Sequence, residues 1–342
     1  MKKVLVTGGS GFLGAVLVRQ LVERGDACRS FDILDDTGRP REVEFISGDI
    51  RDLDAVRRAC AGMDVVLHNV ALVPIAKDDK AFVEVNLGGT ANLLRACREA
   101  GVKKVVYTSS SAIYGVPDAN PVTESTVPHP GEAYGRAKWG AEKLCLDEAK
   151  NGLDVSIIRP RTILGPGRLG IFGILFEWIR NGQNVPVLGK GDNTFQFVHV
   201  EDLARACVLA GDKASPEVFN CGTDRFGTMR ELLEAVCRYA GTGSRIAQLP
   251  RGITLKLMRL TSRLGLSPLA EYHAMMYGQS MWFDISAAQS QLQWQPKYSN
   301  EEMILESYRW YVENRDKLSA HIASHHRSPL RQGILRVAGW LW

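Results

Sequence analysis

With 342 residues, 45% of them hydrophobic and 23% charged, the chain has room for two domains or one large α/β body and can bury a core. That excludes a stapled mini-domain and a disordered chain. Lys plus Arg number 42 against 38 for Asp plus Glu, a net +4. Lys317, Arg327, Arg331 and Arg336 stand beyond the last acid, so the excess lies in the tail. The neutral body offers no basic face for a nucleic acid.

Short β-branched runs alternate with helical spacing in chain order. The pattern predicts a strand at residues 4–7, a helix at 12–24, a strand at 27–31, a helix at 53–61 and a strand at 65–68. It continues with a helix at 82–100, a strand at 105–109, a helix at 134–150 and a strand at 155–159. This is the form of an α/β, Rossmann-like doubly wound parallel sheet. Beyond Pro160, the residues Gly165, Pro166, Gly167, Gly170 and Gly173 give a loop-rich stretch, where a smaller, mainly helical C-terminal substrate domain is expected to begin. The expected division is 1–165, rejoined by 195–222 through a strand at 195–200 and a helix at 201–210, then 166–318 and a basic, apolar tail at 319–342.

The cysteines Cys28, Cys60, Cys97, Cys145, Cys207, Cys221 and Cys237 are odd in number and never spaced Cys-x-x-Cys, as expected of reduced thiols. Met1-Lys2-Lys3 runs directly into a strand with no signal segment, so a cytoplasmic protein is expected. No run reaches the roughly 20 apolar residues that span a bilayer. The histidines His321, His325 and His326 lack partners at ligand spacing, so no metal site is expected. His199 reads as structural rather than as a base.

The strongest local signal is Thr7-Gly8-Gly9-Ser10-Gly11-Phe12-Leu13-Gly14, between the first strand and the first helix. Gly8 permits a tight turn, Gly11 admits a pyrophosphate, and Gly14 lets the helix pack on the sheet. The N–H groups of Ser10, Phe12 and Leu13 belong to the same turn and face an anion. Asp32, at the end of the second strand, suits the adenosine ribose hydroxyls and repels a 2′-phosphate, which favours NAD over NADP.

A second signal is Tyr134-Gly135-Arg136-Ala137-Lys138, which puts a phenol and an ammonium on one helical face. The cation stabilises a tyrosinate, the requirement for a general base. The hydroxyl-rich run Thr108-Ser109-Ser110-Ser111, at the end of a strand, supplies a group that can reach the oxygen Tyr134 would deprotonate.

These pieces resemble the extended short-chain dehydrogenase/reductases of the NAD-dependent epimerase/dehydratase family. Further matches are Gly48-Asp49-Ile50-Arg51-Asp52, His68-Asn69-Val70-Ala71, Val85-Asn86-Leu87-Gly88-Gly89-Thr90, Arg159-Pro160, Gly165-Pro166-Gly167 and Val198-His199-Val200-Glu201-Asp202. The resemblance implies bound NAD, with Asp49 and Ile50 beside the adenine, Ala71 on the pyrophosphate and nicotinamide ribose, Lys138 on that ribose, and Asn86 and Pro160 in the cofactor site. It also implies Ser110, Tyr134 and Lys138 as the catalytic set, because the family's hydroxyl lies four residues before the tyrosine at position 114, with Ser111 as a neighbour. It implies a homodimer through the helices bearing Asn86 and Tyr134.

The expected activity is NAD-dependent epimerisation or oxidation at a secondary alcohol of a sugar nucleotide or glycoconjugate. The sugar dehydratases carry Asp-Glu after the catalytic hydroxyl, whereas Ser111 and Ala112 stand here, so dehydration is discounted. Phe195 occupies the place of the usual diphosphate-binding arginine and Thr162 that of a common asparagine. These departures lean toward the 3β-hydroxysteroid dehydrogenase branch, with a lipidic alcohol as the alternative substrate. A non-catalytic NAD-binding scaffold is the third reading. The substrate side is expected to include Ser110, Ser111, Arg161, Thr162 and Phe195, while Arg161 and Arg168 are either replacement cations or surface charges.

Two apolar stretches remain. Residues 253–283, with Leu255, Leu257, Met258, Leu260, Leu264, Leu266, Met275, Met276, Met281 and Trp282, read either as core or as a lid over a bulky substrate. The tail combines Ile334, Leu335, Trp340 and Trp342 with Arg331 and Arg336, which suits either packing on the protein or peripheral contact with the inner face of a membrane.

Overall fold

The computed structural model describes residues 1–36, 38–76, 78–256 and 275–317. The expectations for Leu257, Met258, Leu260, Leu264 and Leu266 and for the tail fall outside the described residues.

The chain runs β1 (Lys3–Thr7), α1 (Phe12–Glu23), β2 (Ala27–Asp32), β3 (Glu44–Ser47), α2 (Leu53–Cys60) and β4 (Val65–His68). A short α3 (Asp79–Ala81) leads through a π-helical turn, Phe82–Gly88, into α4 (Gly89–Ala100). There follow β5 (Lys104–Thr108), α5 (Ala133–Lys150), β6 (Asp154–Pro160), β7 (Thr162–Leu164), α6 (Ile171–Arg180), β8 (Val185–Leu188), β9 (Thr194–Phe195) and β10 (Phe197–His199). Next come α7 (Val200–Asp212), β11 (Val218–Cys221), β12 (Gly227–Thr228), α8 (Met229–Ala240) and β13 (Ile246–Leu249), and then the helices Ser286–Gln291 and Asn300–Asn314.

Seven strands form one sheet in the order β3-β2-β1-β4-β5-β6-β11, and every pairing in it is parallel. The period of two along β1 sorts its side chains. Val4 and Val6 join Leu17 of α1 and Leu203 of α7 on one face, while Leu5 joins Val56 of α2 and Leu93 of α4 on the other. Strands covered on both faces in this way read as continuous apolar runs. The strand order reverses beside β1, and in such sheets ligands bind at the carboxyl ends of the strands flanking that point.

The third apolar cluster unites α6, β8 and α8 with the helix Asn300–Asn314, through Phe172, Phe176, Val187, Leu232, Ile304 and Tyr308. The stretch expected to be loop-rich contains α6. Its Gly173 faces only Leu169 at 3.7 Å or more, so nothing there requires a glycine and the helix passes through it. No described helix is long and apolar enough to cross a membrane.

Candidate active site

A cleft of about 990 Å³ opens over the carboxyl ends of β1, β4 and β5 and continues between the sheet and α6. At its floor, Gly8 adopts φ +71° and its amide donates to Phe31 O at 2.8 Å, turning the chain sharply out of β1. A Cβ on Gly14 would lie 1.9 Å from Gly8 O, so only glycine lets α1 sit this close to the turn. Gly11 begins α1 with no side-chain cap, and no acid stands in the first turn. The positive end of the helix therefore meets no acidic side chain of that turn. The Asp32 carboxylate accepts from Ser10 N at 3.1 Å and from Ile33 N at 2.7 Å, fixing it at the cleft edge. Burial raises its pKa above the usual carboxylate value, against those hydrogen bonds. This cradle fits a dinucleotide: glycine backbone at a helix terminus, with an acid one strand away.

The other half of the site hangs from α5. The buried Glu132 caps that helix, accepting from Tyr134 N and Gly135 N, each at 2.7 Å, and so sets the first turn on which Tyr134 stands. One turn on, Lys138 lies beneath the cleft, donating from Nζ to Thr108 O at 2.6 Å and resting 4.6 Å from the centre of the Tyr107 ring. Burial pushes its pKa down to about 7. Thr108 in turn donates to Asn69 Oδ1 at 2.6 Å, tying the ends of β4 and β5 together. Behind them, Glu142 accepts from Ser109 Oγ at 2.6 Å and from Arg159 Nε at 3.0 Å. Arg159 also donates to the Tyr114 hydroxyl at 2.6 Å.

Ser110 and Ser111 differ in what they already hold. Ser110 Oγ accepts from Ala112 N at 3.2 Å, which leaves its O–H to donate. Ser111 Oγ accepts from Arg161 Nη1 at 2.9 Å. Arg161 is buried, its guanidinium 4.6 Å from the Phe195 ring centre and 5.5 Å from that of Phe283. Arg168 lies 5.8 Å from the Phe12 ring centre; its Nε and Nη1 are buried with no hydrogen-bond partner among the described residues. Burial pushes its pKa down to about 10, and the nearby Tyr134 phenol opposes that fall. Neither arginine is a surface charge.

Gly8, Ser10, Gly11, Phe12, Leu13, Gly14, Asp32, Asp49, Ile50, Ala71, Pro160 and Thr162 all line this cleft, together with Ser110, Ser111, Tyr134, Lys138, Arg161 and Phe195. Asn86 does not line it. The Asn86 carboxamide spans Leu72, accepting from its N–H at 2.8 Å and donating to its carbonyl at 3.0 Å, so it holds the segment that carries Ala71. His199 caps α7, accepting from Glu201 N at 3.2 Å, and pairs with Glu306 at 3.0 Å, which is a structural arrangement.

Sequence reasoning missed the wall supplied by α6 and β8, including Ile171, Leu175, Trp178, Val185 and Val187. The apolar spacing of Ile171-Phe172-Gly173-Ile174-Leu175-Phe176 was the available signal. It also missed the Glu132 cap, which one sequence shows only as an acid before a helix.

The doubly wound sheet, the glycine turn with its acid, and the tyrosine and lysine of α5 define an extended short-chain dehydrogenase/reductase. More narrowly, the chain belongs to the NAD dependent epimerase/dehydratase family, whose model matches residues 4–222. It is 48% identical over 338 residues to the uncharacterised protein y4nG of Sinorhizobium fredii, covering 98% of this chain and 85% of that one. It is 31% identical over 339 residues to a 3 beta-hydroxysteroid dehydrogenase/Delta 5-->4-isomerase of Mycobacterium tuberculosis, covering 91% and 90%. Among solved structures, UDP-glucose 4-epimerase of Thermotoga maritima with UDP-glucose superposes with a TM-score of 0.78 at 26% identity, covering 92% of this chain and 99% of that one.

Proposed function

We propose that this protein is an NAD-dependent oxidoreductase or epimerase acting at a secondary alcohol. The observation that carries the reading is the meeting of Ser110, Tyr134 and Lys138 in one cleft with the glycine turn and Asp32. Asp32 would accept from the adenosine ribose, the amides at the start of α1 would meet the pyrophosphate, and Lys138 would hold the nicotinamide ribose. NAD, when bound, supplies the hydride acceptor. Ser110 donates a hydrogen bond to the substrate oxygen, and Tyr134 takes the hydroxyl proton as the carbon is oxidised. Lys138 is the cation that stabilises the tyrosinate in its buried setting.

The relatives suggest two substrate classes, a UDP-sugar and a 3β-hydroxysteroid. Phe195 favours the second, because its ring lies against the Arg161 guanidinium and cannot itself pair with a diphosphate. The test is Tyr134→Phe, assayed by NADH formation over secondary alcohols that include UDP-glucose and a 3β-hydroxysteroid. The variant should keep NADH affinity and lose roughly 10²- to 10⁴-fold in rate. A variant with near wild-type turnover would overturn the reading.

A further inference from the structure

Beyond the reacting residues, the cleft runs along a wall of Ile171, Leu175 and Trp178 from α6, Val185 and Val187 from β8, and Met276. Apolar surface of this kind is stabilised by displacing water with an apolar body. The Trp178 indole N–H of α6 is buried and has no partner among the described residues. A single donor takes a single acceptor; it does not bind a nucleoside diphosphate.

The reacting end is different, because two guanidiniums line it. Arg161 is held by its hydrogen bond to the Oγ of Ser111, the chain neighbour of Ser110, at 2.9 Å, and Arg168 lies 5.8 Å from the Phe12 ring centre with the Tyr134 phenol near enough to act on its charge. Arg168 has two buried nitrogens, Nε and Nη1, with no acceptor among the described residues, and leaving such donors unmet is costly unless a ligand supplies the acceptor.

We infer that the substrate is an amphiphilic anion: an apolar body seated against α6 and β8, with its secondary alcohol at Ser110 and Tyr134 and a carboxylate-like group a few bonds away on Arg168. This deepens the function proposed above and rests on it. It sets the chain apart from a sugar-nucleotide enzyme, whose ligand is polar along its whole length. The remaining source of an anion at Arg168 is the cofactor's own pyrophosphate, since Phe12 opens α1, and the experiment separates the two.

The NAD-loaded protein is titrated calorimetrically with 3-hydroxydecanoate, its methyl ester and UDP-glucose. The acid should bind about tenfold or more tighter than either, the scale of one buried charge-assisted contact. Arg168→Gln should erase the preference for acid over ester while leaving NADH affinity within about twofold, and Arg168→Lys should keep part of the preference. Leu175→Asn should weaken acid and ester alike. Equal binding of acid and ester by the wild type, or tighter binding of UDP-glucose, would overturn the inference. So would an Arg168→Gln protein that loses NADH affinity with the preference intact. NADH formation at 340 nm is read separately: binding without turnover would count against the catalytic reading and leave the substrate class standing.

Discussion

Replacing Lys138 with methionine should make the cofactor-free protein more stable, by an amount that depends on pH in a defined way. The ammonium is buried, and its pKa falls from 10.5 to about 7, chiefly through loss of solvent. At about 1.36 kcal/mol per pH unit, that difference is a folding penalty of roughly 5 kcal/mol wherever both states are protonated, below pH 7. Between 7 and 10.5 the unfolded chain binds the extra proton, so wild-type stability rises with pH and the penalty is gone above 10.5. The hydrogen bond to Thr108 O and the contact with the Tyr107 ring offset roughly 2 kcal/mol of it. Lys138→Met should therefore gain roughly 3 kcal/mol at pH 6, and the gain should vanish near pH 9. Urea titrations of both proteins at pH 6, 7.5 and 9 measure this difference directly. A variant less stable than wild type at pH 6, or a gain that does not change with pH, would refute the argument that this lysine is held against its solvation.

Other outcomes follow from the same geometry. Asp32→Ala removes the carboxylate fixed by Ser10 N and Ile33 N and should narrow the preference for NADH over NADPH, as read by titrating both cofactors; a wild type that already prefers NADPH would contradict the assignment. Gly14→Ala places a Cβ 1.9 Å from Gly8 O; it should cost roughly 1–3 kcal/mol in urea and abolish NADH binding. Glu142→Gln leaves Arg159 buried without its carboxylate and should destabilise by roughly 3–5 kcal/mol, measured by thermal unfolding.

The sheet was legible because its strands are buried on both faces and read as unbroken β-branched runs: the expected strand at 65–68 is Val65–His68, and the others differ at their ends by a residue or two. Four features were not legible. Val218–Cys221, the strand at one edge of the sheet, falls inside the expected return at 195–222 but was not read as a strand. Glu44–Ser47 lies at the sheet edge with both end residues exposed, so it has little apolar signal. The π-helical turn at Phe82–Gly88 interrupts what spacing presents as one helix over 82–100, since one extra residue per turn barely moves an apolar stripe. The glycines at 165–173 hid α6, and with it the apolar wall.

The site divides in the same way. The glycine turn, Asp32, Tyr134 and Lys138 carry their chemistry in local spacing and could be read directly. What Arg161 and Arg168 do depends on contacts with Ser111, Phe195 and Phe12, which lie 34 or more residues away in the chain, so sequence alone left both open as cations or surface charges. Asn86 shows the reverse limit: a residue in a recognisable string that reaches the site only through Leu72.

A crystal structure of the NAD complex tests the assignment of the cleft as a dinucleotide and alcohol site. The adenosine ribose hydroxyls should lie on Asp32, the pyrophosphate over Gly11, Lys138 Nζ within hydrogen-bond distance of the nicotinamide ribose, and the nicotinamide C4 should face the space between Ser110 Oγ and the Tyr134 hydroxyl. A nicotinamide turned away from Tyr134, or a ribose held without Lys138, would contradict it.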